Sequence, residues 1–215
     1  MMARNNVQGS FNYNNIEKKD KNFMYKDLKR SKSYNCNFAG SKFDFVSFRG
    51  AHFKSCSFLN CTFKGAEFVG SNLKGCKFKE AYFENTVFEG AKLDGVDFKD
   101  AEFRNVIFVG TDLSDTANLD TNNDEIRVFD EMPVIEVSEV LKNAVEDAMT
   151  NKFIKFSRVF DNKDGKLNHL TLMILLENFD EETLIKGLGM IKSEINRDFH
   201  TLSYIIRLIK TSEEI

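Results

Sequence analysis

The run that decides the fold starts at Cys36 and reads CNFAG SKFDF VSFRG AHFKS CSFLN CTFKG AEFVG SNLKG as far as Gly75. Each block of five has a large apolar residue at its centre. The series continues without a gap to Leu113: Phe38, Phe43, Phe48, Phe53, Phe58, Phe63, Phe68, Leu73, Phe78, Phe83, Phe88, Leu93, Phe98, Phe103, Phe108 and Leu113. A small residue stands two places before each, among them Cys36, Ser41, Ala51, Cys56, Cys61, Ala66 and Cys76. A period of five fits neither regular element. On an α-helix, five residues turn about 500°, so successive Phe would scatter round the cylinder. On a straight strand, an odd spacing would send alternate Phe to opposite faces. The conflict vanishes if the chain bends once per five residues, so that every centre points at one axis. A chain bent in this way is a coil, and stacked coils make a solenoid.

The blocks Ala66-Glu67-Phe68-Val69-Gly70, Ser71-Asn72-Leu73-Lys74-Gly75 and Val96-Asp97-Phe98-Lys99-Asp100 resemble the pentapeptide-repeat family, whose unit reads roughly A-[DN]-[LF]-x-x. The resemblance implies a right-handed, four-sided β-helix with one pentapeptide per side. Sixteen units then make four coils, about 20 Å of rod at one strand spacing per coil. The centres form the structural core ladder, each burial contributing about 1.5–3 kcal/mol. The fifth position, rich in Gly with Asn60, Asn85 and Asn105 beside them, suits a tight corner.

The rest of the chain is read from this stretch outward. Residues 1–22 lack an apolar leader and are expected to be a flexible N-terminus. Phe23 and Leu28 already keep the register, while Ser33 breaks it, so the β-helix with its N-terminal cap is placed at 23–120. The cap carries Lys18, Lys19, Lys21, Lys26, Lys29, Arg30 and Lys32 and reads as a solvated end. After Leu113 the next repeat-like triplet, Ala117-Asn118-Leu119, comes one residue late. Residues 121–133, with Thr121-Asn122-Asn123-Asp124 and the only proline, Pro133, read as a linker. Residues 134–215 take up a helical period and form a small α-helical domain. Its expected segments are one from Val137 to Phe160 with a break near Thr150-Asn151, then Leu167 to Phe179, then a third after Asp180, and a fourth through Phe199, Leu202, Ile206 and Ile209. The fold class is thus mainly β, a solenoid followed by helices.

The four cysteines all fall on the small inward position and read as buried small hydrophobes. Neither a metal-ligand spacing nor a catalytic triad is legible, and the glycines recur by fives for geometry, not to cradle phosphate. The turn Asp161 to Gly165 fails as a calcium loop, because Phe160 and Thr171 occupy the positions that need oxygen ligands. No cofactor, metal or enzymatic activity is expected. No apolar run could cross a membrane, and a cytoplasmic location is expected. On the solenoid face centred on Phe48, Phe68, Phe88 and Phe108, the outward residues Glu67, Val69, Val87, Glu89, Ile107 and Val109 form a candidate interface patch. Two covers are open for it: the C-terminal helices or a second subunit.

The function expected is a non-enzymatic protein-binding or scaffolding module with a protein partner, no membrane contact and no direct nucleic-acid contact. Dimerisation through the C-terminal helices is one assembly it allows. The family resemblance implies an alternative: a DNA-mimicking modulator of DNA gyrase or topoisomerase IV that confers resistance to quinolones. Charge fits that alternative poorly. Residues 36–120 hold ten Lys/Arg against twelve Asp/Glu, whereas a mimic competes with one negative charge per ~1.7 Å of duplex. Residues 121–215 hold twelve against eighteen. A continuous acidic stripe on the rod would favour mimicry, and mixed charge would favour a scaffold.

Overall fold

The computed structural model describes residues 11–162 and 164–213. They divide into two compact units, one ending at Arg127 and one beginning at Val128.

The first unit is a β-solenoid of about six turns. Residues twenty apart pair in parallel throughout. Strands β1 (Asn12–Asn14), β2 (Lys32–Tyr34) and β3 (His52–Lys54) form one sheet. Strands β4 (Thr62–Lys64), β6 (Tyr82–Glu84) and β8 (Glu102–Arg104) form another. A third contains β5 (Glu67–Val69), β7 (Val87–Glu89), β9 (Val106–Val109) and β10 (Ile126–Phe129). The fourth side is held by single parallel bridges, such as Ser57 with Lys77 and Lys77 with Asp97. The three-residue strands follow from the repeat: two corners per ten residues leave room for no more.

The corners explain the fifth position. From Asn15 to Gly110, every fifth residue has positive φ. Glycine reaches that region without strain and Asn with little, but Phe45, Ser55, Glu80 and Asp100 are held there too. Several corners are reinforced by an Asx bond: the Asn37, Asn72 and Asp97 side chains accept from the backbone N–H two residues on, at 3.0, 3.2 and 3.0 Å.

Inside, the Phe centres stack in columns. Phe48, Phe68 and Phe88 lie 4.4 and 4.6 Å apart at 8° and 3°, and Phe88 continues to Phe108 at 4.7 Å. Neighbouring columns meet at steep angles, as Phe63 and Phe78 do at 73°. This is the packing that the ring quadrupole favours between columns, while the coil spacing imposes stacking within them. Twelve Phe of the ladder are fully buried, and the thirteenth, Phe103, is partly buried and packs against the same core.

Two boundaries differ from the sequence reading. Residues 11–22 are not a loose end: Asn12–Asn14 pair with Lys32–Tyr34, and Phe11 and Tyr13 pack on the core. The first coil was hidden because Lys18 stands where the ladder expects an apolar residue. Residues 1–10 of the expected flexible N-terminus lie outside the described residues. At the other end, the segment read as a linker contains β10. Ile126 is 7% exposed and joins the solenoid core. The late triplet is absorbed locally, since Asp97 still pairs with Ala117 and Asn118 takes positive φ. Register has returned by Glu125, whose carbonyl accepts from Val106 N–H at 2.8 Å.

The second unit has five helices: α1 (Glu139–Ala148), α2 (Lys152–Ser157), α3 (His169–Asn178), α4 (Glu181–Glu194) and α5 (Leu202–Glu213). Each of the first four starts at a capping side chain that accepts a first-turn N–H: Ser138, Asn151, Asn168 and Asp180. Asn151 separates α1 from α2 and also donates to the Lys192 and Ile195 carbonyls at 2.8 and 2.9 Å. Helix α4 is the hub, packing on α1, α3 and α5 with Leu184, Leu188 and Ile191 buried.

Candidate functional site

The outward side chains of the solenoid are the only large repeated surface this fold offers, and its geometry sorts them. On each side, the residue before and the residue after every inward centre point out. The twenty-residue pairing stacks them in two columns, ~4.7–4.9 Å apart from coil to coil.

The candidate patch lies on the third sheet. Glu67, Val87 and Ile107 form one column and Val69, Glu89 and Val109 the other, in parallel register. The structure therefore brings all six together. Ile107 and Val109 are 2% exposed and Glu67 9%, while Val69, Val87 and Glu89 are half-buried. Burial pushes the Glu89 carboxyl above its ordinary range, and the Arg49 charge pulls it partly back. Ile107 and Val109 are thus withdrawn from water, while Val69 and Val87 stay partly open.

The side holding β4, β6 and β8 balances its charge within itself. Glu84 meets Lys64 at 3.3 Å and Arg104 at 3.8 Å, and Lys64 Nζ also lies over the Tyr82 ring, 5.2 Å from its centroid. The bridged side alternates too, with Lys77, Lys79 and Lys99 against Glu80, Asp97 and Asp100. The side containing β2 and β3 differs. Its two columns run Lys32, His52, Asn72, Lys92 and Tyr34, Lys54, Lys74, Asp94. Sequence reasoning missed this basic face, because its lysines are spread over sixty residues and only the twenty-residue register gathers them.

The small inward position also carries a role that its size alone does not reveal. Several of its polar side chains donate to the carbonyl of the ladder residue one coil back: Ser41 to Lys18, Cys61 to Phe38 at 3.1 Å, Cys76 to Phe53 at 3.1 Å, and Thr86 to Phe63. All four cysteines are free and buried. Burial drives the Cys61 thiol up to about 12 and raises Cys76 as well. Among the described residues, no three His, Cys, Asp or Glu side chains are grouped to hold a metal ion.

The turn after α2 is structural. Asp161, 4% exposed, is paired with Arg158 Nε at 2.6 Å and Lys155 at 3.3 Å. The Asn162 carboxamide oxygen accepts from Asp164 and Lys166 N–H. Of its residues, Lys163 lies outside the described set.

Two family profiles described as pentapeptide repeats match the chain, one of nine copies over residues 73–120 and one of eight copies over residues 34–68. No curated protein matches. Solved structures with similarity include a pentapeptide repeat protein of the Arabidopsis thaliana thylakoid lumen, 23% identical, with 50% of this chain and 71% of that one covered and a TM-score of 0.38. HetL, involved in heterocyst differentiation regulation in the cyanobacterium Nostoc, is 18% identical over 48% of this chain and 46% of its own, at 0.28. QnrB1, a plasmid-mediated fluoroquinolone resistance protein, is 16% identical over 59% and 87%, at 0.23. Repeat unit, twenty-residue register and profile matches coincide within residues 34–120, and over that stretch the chain consists of pentapeptide repeats.

Proposed function

We propose that this chain is a non-catalytic protein-binding module whose solenoid displays fixed arrays of side chains to a partner. One observation carries the reading: the interior is filled by stacked rings, so the chemistry the repeats hold is displayed outward in columns locked by the backbone ladder. Preordered side chains lose little entropy on binding, which favours recognition by a rigid surface. The test is capture of partners on the immobilised chain from an extract of its host, with free chain as competitor. Saturable capture of a protein, displaced by the free chain, is expected; capture that never saturates would overturn the reading.

The duplex-mimic alternative needs a continuous acidic face. No side of the solenoid is continuously acidic, and the side of β2 and β3 carries four lysines against Asp94 and Asp112. A gyrase supercoiling assay, with and without a quinolone, is therefore expected to show neither inhibition nor rescue at micromolar chain. Either effect would restore that alternative.

A further inference from the structure

The basic face of the solenoid extends the binding-module reading and rests on it. Lys32, Lys74 and Lys92 are exposed and Lys54 half-buried, and none of the four forms an ion pair with a described residue. Some lysines elsewhere on the solenoid find partners, as Lys64 does in Glu84. The four span three coil steps, ~14 Å at the strand spacing, with Asp94 on the rung of Lys92. Unneutralised lysines held in fixed columns repel one another, and an acidic ligand relieves that repulsion.

The pitch of the columns selects the shape of the ligand. Coil steps put the rungs at ~4.8, 9.6 and 14.4 Å along the rod. On an α-helix, residues i+3, i+7 and i+10 rise ~4.5, 10.5 and 15 Å above residue i and share one face. An extended strand puts same-side residues ~6.7 Å apart and is a full step out of phase by the third rung. A nucleic-acid strand carries a charge every ~3.4 Å and runs on past the lysines into Asp112. The only aromatic residue in these columns is Tyr34, too little to stack a run of bases.

We propose that the face built on β2 and β3 binds an acidic α-helix of a partner protein, laid along the rod axis with carboxylates at i, i+3, i+7 and i+10 facing the lysines.

The test uses the full chain and a fluorescein-labelled helical peptide with Glu at those four positions. A peptide of the same composition with its Glu scattered round the helix, and a single-stranded oligodeoxynucleotide of equal charge, serve as competitors. Anisotropy is read for the wild type and for K54E/K74E, whose thermal unfolding midpoint should match the wild type because both side chains point outward. The expected result is saturable binding to the patterned peptide, weakened roughly tenfold by K54E/K74E as attractions become repulsions, and weakened by salt. Absence of binding, equal binding by K54E/K74E, or stronger competition by the scattered peptide or the oligonucleotide would overturn the proposal. In the host extract, capture of the same partner by K54E/K74E and wild type alike removes this face and leaves the module reading standing. Failure of the wild type to capture any protein saturably removes the module reading itself.

Discussion

Phe63 shows how much one ladder residue carries. It stacks on Phe43 at 5.4 Å and Phe83 at 5.0 Å and meets Phe58 and Phe78 across the interior. Closed coils above and below cannot collapse into the space it leaves, so Phe63→Ala should cost about 3–5 kcal/mol, read from a denaturant midpoint. Cys61, beside it in the chain, links stability to pH. Its folded-state value of about 12 lies above the ordinary 9.0. Below pH 9 both states keep the proton and the contribution is intact. As pH rises from 9 toward 12, the unfolded chain releases the proton first, and stability is lost. Between pH 8 and 10.5 the urea midpoint should therefore fall more steeply for the wild type than for Cys61→Ala. The two residues also show what a sequence can reveal at this scale. The inward place of Phe63 is legible from its period, since no other geometry hides thirteen Phe. The bond from Cys61 to the Phe38 carbonyl is not, because its acceptor lies twenty-three residues away and is brought near only by the completed coil.

Among the elements, corners and helix contacts set different tolerances. Gly90 has φ +55 and open space where a Cβ would stand, and Asn85 and Asn105 occupy equivalent corners at φ 49. Gly90→Asn should thus cost under ~1 kcal/mol, and Gly90→Val ~2 kcal/mol or more, since a β-branched residue resists the left-handed region. Gly187 is the opposite case. A Cβ there would lie 2.8 Å from Ile209 Cγ2, so α4 and α5 touch only because Gly187 has no side chain. Gly187→Val should destabilise the helical unit by about 1–3 kcal/mol, seen as a lower melting temperature of the helical circular-dichroism signal. The helix starts were readable because Asn151 and Asp180 are capping residues followed by apolar periodicity. Strand β10 was not, since Ile126, Val128 and Phe129 follow a run of turn formers that reads as a linker. Its place is fixed by the backbone bond of Glu125 to Val106, not by a pattern.

For the whole molecule, the uniform ladder predicts a graded one. Amides of the central coils, bonded on both sides, should exchange with deuterium more slowly than those of Asn12–Asn14, where β1 pairs with β2 alone among the described residues. The surface that the module reading needs was half legible. The valine patch could be found by counting in twenties, and its apolar character already called for a cover, whereas the degree of burial of each residue could not be read, because it depends on contacts that no repeat encodes. The twenty-residue register has a further consequence, for length variation. Inserting or deleting one coil of twenty residues slides later residues by one rung and returns every column to its own side. Inserting five turns everything downstream by a quarter revolution, so that Lys74 and Lys92 would leave the side of Lys32 and Lys54. A single-residue change must instead be absorbed at a corner, as it is near Asn118. The solenoid thus behaves as a counter with two periods, one that its core obeys and a fourfold longer one that its surface obeys, and chain-length changes compatible with a conserved binding face should come in twenties.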